Sequence, residues 1–141
     1  MCARRKLSAS SSGTSTSLRN HATVLLVDDV GRALDYYRDK LGFEGHAWER
    51  NPHHYGYASR GDTYVHFACF HDVPPRPNSE LVPPDMFDLY IYVDDVEALH
   101  AEFVERGAEI LNAPVDTEYG LREIRVRDPE GYVLAFGKVP E

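Results

Sequence analysis

Apolar residues recur along this chain in a pattern that is used twice. Thr23 to Val27 reads as a short strand, after which Asp28 or Asp29 can cap a helix whose apolar positions Leu34, Tyr37 and Leu41 recur at helical spacing. Gly42 is placed to end that helix in left-handed backbone. The order returns at Leu89 to Val93, with Asp94 and Asp95 as caps, Val96, Leu99, Phe103 and Val104 on one helical face, and Gly107 as the stop. Val-Asp-Asp-Val stands at both junctions, 66 residues apart, so the pattern is a duplication of one unit rather than a solenoid repeat.

Three extended runs follow each helix. They are Gly45 to Glu49, Tyr55 to Ser59 and Tyr64 to Phe70 in the first half, and Glu109 to Leu111, Arg122 to Arg127 and Tyr132 to Phe136 in the second. Turn signals separate them at Asn51-Pro52, at Arg60-Gly61-Asp62 and at Asp128-Pro129-Glu130-Gly131. The expected fold is therefore α+β, with one βαβββ module over residues 21–70, a Pro-rich connector over 71–86 and a second module over 87–139. Alternation assigns Leu89, Ile91 and Val93 to the face under the helix, and Asp88, Tyr90 and Tyr92 to the other. In the first half Thr23, Leu25 and Val27 are covered, while Ala22, Val24 and Leu26 fall in register with the Asp88 series. Likewise Val65, Phe67 and Cys69 oppose Tyr64, His66 and Ala68, and Tyr132, Leu134 and Phe136 oppose Val133 and Ala135. The uncovered, partly polar and aromatic face is the expected ligand wall.

Composition narrows the setting. A chain of 141 residues can bury a core without staples. Cys2 and Cys69 are poorly placed for a bridge and read as reduced thiols in a cytoplasmic protein. Residues 1–20 carry four bases and no acid in a Ser-rich stretch, which predicts a disordered tail. No apolar segment suits a secretory signal or a membrane span. Of the 15 bases, 11 lie beyond that tail against 23 acids, so the remainder carries −12 where the whole chain carries −8. Such a surface repels nucleic acid and suits cationic ligands, or simply keeps the protein soluble.

Several motifs occur together in one order. Val27-Asp28-Asp29-Val30 with Ala33-Leu34-Asp35-Tyr36-Tyr37 and Leu41-Gly42-Phe43, then Tyr119-Gly120-Leu121-Arg122-Glu123, then Arg127-Asp128-Pro129-Glu130-Gly131, resemble the glyoxalase, bleomycin-resistance and extradiol-dioxygenase (vicinal oxygen chelate) superfamily over about residues 21 to 139. The resemblance implies paired βαβββ modules whose curved mixed sheet encloses a cleft, usually at the interface of a homodimer. In the superfamily's metal enzymes one ligand stands on the first and one on the last strand of each module, positions that fall here on Ala22, His66, Asp88 and Ala135. Two of the four have no donor atom, and two donors hold a divalent metal weakly. His21, next to Ala22, belongs to the opposite face unless the register slips by one residue.

The expectation is therefore a metal-free small-molecule binding protein without a cofactor, similar to the bleomycin-resistance branch, sequestering a cationic or aromatic ligand such as an antibiotic. Its wall is expected to comprise His66, Asp88, Tyr90, Tyr92, Trp48 and Tyr57, with Glu123 and Arg122 from the segment that resembles bleomycin-resistance proteins most closely. Ordinary packing is the competing reading of the aromatics, and Arg122 can instead pair with an acid such as Glu118. The alternative function is a metal-dependent lyase, isomerase or dioxygenase; metal-free catalysis by an Asp88–His66 pair would need the two within hydrogen-bond reach. His53, His54 and His100 are assigned no role.

Overall fold

The computed structural model describes residues 15–48, 54–70 and 72–139. Most of the expected tail, the Asn51-Pro52 turn, Glu49, His53, His71 and residues 140–141 lie outside the described residues. The first module comprises β1 (Ala22–Leu26), α1 (Val30–Leu41), β2 (Glu44–Ala47), β3 (Tyr55–Arg60) and β4 (Thr63–Ala68). The second comprises β5 (Leu89–Tyr92), α2 (Val96–Arg106), β6 (Glu109–Ile110), β7 (Val115–Asp116), β8 (Arg122–Arg127) and β9 (Val133–Lys138). The short β7, which the pattern did not suggest, pairs with β8.

Both helices start at the second aspartate of the repeated motif. Asp29 and Asp95 have extended backbone, and their carboxylates accept from the N–H groups of Arg32 and Ala98. Gly42 and Gly107 stop the helices at φ 76° and 80°, backbone that a side chain would strain. Val104, placed on the apolar stripe by its spacing, is 58% exposed; it follows Phe103 directly, and a 100° turn of the helix carries it off the buried side.

Each module forms its own mixed sheet, in the order β1-β4-β3-β2 and β5-β9-β8-β6, with the first strand parallel to the last. The sheets do not join and neither is closed, and a groove of about 580 Å³ runs between the modules, lined among others by Arg60, Ile91, Leu99 and Phe136. The helix-covered faces instead share one core: Leu25, Tyr37 and Phe67 from the first module lie in the same cluster as Phe103, Ile124, Leu134 and Phe136 from the second. Polar bonds tie this seam. Tyr37 donates to Asp128 at 2.8 Å, Tyr36 to the Arg127 carbonyl at 2.9 Å and Tyr132 to the Leu26 carbonyl, while Arg60 pairs with Glu102 at 2.8 Å. The two faces without a helix are thereby left on the outside, one per module. Among the described residues no helix is long and apolar enough to cross a membrane.

Candidate functional site

On the first open face, strand register sets side chains in rows. Val24, His66, Tyr57 and His46 stand side by side across β1, β4, β3 and β2. His46 stacks on Tyr57 at 4.9 Å between ring centroids, and Tyr57 lies 5.5 Å from His66. The Tyr55 hydroxyl and His66 Nδ1 share a hydrogen bond of 2.8 Å. Trp48 lies one residue past β2, but its N–H still reaches the Tyr55 carbonyl at 3.0 Å, which keeps it in phase with this face. Its indole meets Tyr55 and Tyr57 edge-on and is 66% exposed, so most of it remains free to meet a ligand. The structure thus groups Trp48, Tyr57 and His66 with Tyr64, which alternation had put on the same face, and adds His46 and Tyr55, which the same alternation along β2 and β3 would have found.

The second open face is organised around a carboxylate. Glu123 is 2% exposed and accepts from Tyr90 at 3.0 Å, from the Tyr119 hydroxyl and from Arg125 Nε at 2.7 Å. Burial, and then the Glu123 carboxylate, raise both phenols above their ordinary pKa, so they stay protonated donors. Arg125 also reaches the Asp85 carbonyl at 2.7 Å and lies 5.1 Å over the Phe87 ring. A groove of about 330 Å³ opens beside this cluster, lined by Phe87, Tyr90, Tyr92, Tyr119 and Leu121.

Two expected wall residues are placed differently, and a third is on the open face but already paired. Arg122 has the phase of Ile124 and Val126, so it turns to the helix side and pairs with Glu97 of α2 and with Asp116. Asp88 immediately precedes β5 and uses both oxygens on backbone, accepting from Asn78 N–H at 2.7 Å and Val133 N–H at 2.9 Å; it fastens the connector to β9. Glu123 does lie on the open face, but Arg125 already neutralises it, so it does not supply a spare charge for a cationic ligand.

The residues do not fit a divalent metal of the superfamily type. Ala22 pairs with Tyr64 in register and Ala135 is fully buried between Tyr90 and Arg125 in the row, and neither has a donor atom. His21 precedes β1 and is exposed. Asp88 is bound to backbone, as described. Among the described residues no group of three or more His, Cys, Asp or Glu side chains comes together.

With two βαβββ modules, duplicated caps and an aromatic open face on each, the architecture defines a class, and sequence comparison agrees. The chain belongs to the glyoxalase/bleomycin resistance protein/dioxygenase superfamily, whose profile matches residues 19–136. It is 25% identical over 121 residues to the uncharacterized protein YraH of Bacillus subtilis (strain 168), covering 82% of this chain and 94% of that protein. Similar solved structures include the bleomycin-binding protein of bleomycin-producing Streptomyces verticillus, complexed with copper(II)-bleomycin (TM-score 0.65, 24% identity, 90% of this chain and 100% of that one). TnmS3, an antibiotic binding protein from Streptomyces sp. CB03234, is similar at TM-score 0.65 and 21% identity over 89% of this chain and 99% of that one. A glyoxalase-related enzyme from Clostridium phytofermentans shares the fold at TM-score 0.69 and 16% identity, over 90% of this chain and 99% of its own. Binding proteins and a glyoxalase-related enzyme thus share this fold, and function has to be argued from the site.

Proposed function

We propose that this protein is a metal-free small-molecule binding protein that sequesters an aromatic ligand, of the antibiotic type, in a cleft built from two chains. The observation that carries this reading is the set of rings on the first open face, Trp48, Tyr64 and His46 exposed and Tyr55, Tyr57 and His66 half-buried, beside two superfamily positions, Ala22 and Ala135, that lack donor atoms. Rings in this number offer contact area at little entropic cost and tolerate varied planar ligands. The antibiotic-binding relatives of the same fold support the ligand class.

The cleft requires a partner because the covered faces are already joined within each chain. The open face of one chain's first module meets the second module's open face of another, in a C2 homodimer. Two features support this: Val24, Trp48, Tyr92 and Tyr119 are exposed on the open faces, and among the described residues β1 and β5 pair on one side alone, with β4 and β9. The buried free thiol of Cys69 suits a cytoplasmic location.

Trp48 is the sole tryptophan, so its fluorescence reports on the first wall directly. Titration with bleomycin and a panel of aromatic antibiotics should quench it saturably, return the drug chemically unchanged, and weaken about tenfold in Tyr57→Ala. No saturable change across the panel rejects sequestration of such drugs, and a monomer by light scattering rejects the two-chain cleft.

A further inference from the structure

The rings of the second open face are set at steep angles. Phe87 meets Tyr90 at 5.2 Å between centroids and 72°, and Tyr90 meets Tyr92 at 5.4 Å and 52°. Tyr90 is the floor of this corner. Its ring lies across Gly137, where a Cβ would fall 1.9 Å from the phenol oxygen and 2.6 Å from the carbon that bears it. Tyr119 completes the corner, its hydroxyl converging with that of Tyr90 on one oxygen of Glu123. Four aromatic rings and Leu121 thus line one small, open groove.

Aromatic faces carry negative potential, and rings inclined to one another around a point hold a rounded cation better than a flat ligand. Both hydroxyls commit their protons to Glu123, and the Tyr119 oxygen also accepts from Arg125 at 3.3 Å, so what the two phenols offer the groove is chiefly their π faces. Glu123 is itself matched by Arg125, so it leaves no free carboxylate to offset the dehydration of a primary ammonium. An alkylated ammonium sheds its weak hydration easily and suits a wall of rings.

We infer that the corner formed by Phe87, Tyr90, Tyr92 and Tyr119 is a site for a tertiary or quaternary alkylammonium group. The inference rests on the second open face being part of the ligand cleft, and it names the chemistry recognised there: a positive charge read by rings rather than by a carboxylate.

The test is calorimetric titration of the full-length protein with choline, with its neutral isostere 3,3-dimethyl-1-butanol, and with ammonium. Choline should bind at least about tenfold more tightly than the isostere, and ammonium should not bind. Tyr119→Leu, which removes a half-exposed ring, should weaken choline about tenfold; Gly137→Ala, which displaces Tyr90, should abolish binding while circular dichroism confirms a folded chain. Equal affinity for choline and the isostere, no choline binding, or unchanged affinity in Tyr119→Leu overturns the assignment. Saturable quenching of Trp48 by aromatic drugs without choline binding would sink the ammonium site and leave sequestration standing. Choline binding with no drug binding would do the reverse.

Discussion

The two open faces descend from the same repeated unit and have come to differ in kind. The first is a set of rings spread over three strands, in which Tyr55 and His66 share a hydrogen bond but most contacts are ring on ring. The second gathers its rings around Glu123, which holds two phenols and a guanidinium at once. The helix sides, by contrast, keep matched caps and stops, with Asp29 and Gly42 answering Asp95 and Gly107. Folding constrains the helix sides alike, since both must bury apolar residues in one core. The open faces carry no such shared demand, so one is mainly a surface and the other a bonded network.

The sharpest way to break that contrast is to remove the carboxylate. Glu123→Ala leaves Arg125 and both phenols without their acceptor in a part-buried setting, and should cost on the order of 2 kcal/mol in urea denaturation. His66→Ala on the other face should cost under about 1 kcal/mol. Similar losses for the two variants would mean that the second face is no more a network than the first.

The seam that separates the faces is expected to respond to pH. Burial pushes Asp128 up to about 6 from its ordinary 3.8, despite bonds from Tyr37 and from the Glu130 and Tyr132 N–H groups. A carboxyl raised on folding favours the folded state most below the unfolded value, and this contribution is lost as pH rises from about 4 through 6. The stability of the native protein relative to Asp128→Asn should therefore fall by about 2 kcal/mol between pH 4 and 7. A flat difference across that range would show Asp128 to be unperturbed. The smallest effect is expected on the first face, where Tyr55→Phe removes one part-buried hydrogen bond and nothing else and should lower stability by about 0.5 kcal/mol. A larger loss would mean that this face, too, depends on a polar link.

Periodicity alone made the modules, their helices and the covered residues legible, because cores enforce spacing. It did not distinguish Asp28 from Asp29, since adjacent aspartates offer the same chemistry and only backbone conformation selects the cap. Alternation brought out Tyr57, Tyr64 and His66, and pointed equally to Tyr55 and His46. Asp88 escaped it because a residue just before a strand can fold back onto backbone, and Arg122 because the phase of β8 becomes visible only once β8 is paired with β9. How the modules face one another was not legible either. Each covered face reads as an ordinary core, and nothing local in the chain states that the two cores are one.

Arg125 has a consequence for the connector. Its Nε holds Glu123 while another nitrogen of the same guanidinium holds the Asp85 carbonyl, and Arg127 clamps the Asp85 carboxylate at 2.6 Å. The second open face and the chain segment joining the duplicated halves are therefore tied through one guanidinium. Displacing Glu123 would pull on the join, and an insertion or deletion in the join would shift the second open face without altering a single residue of it.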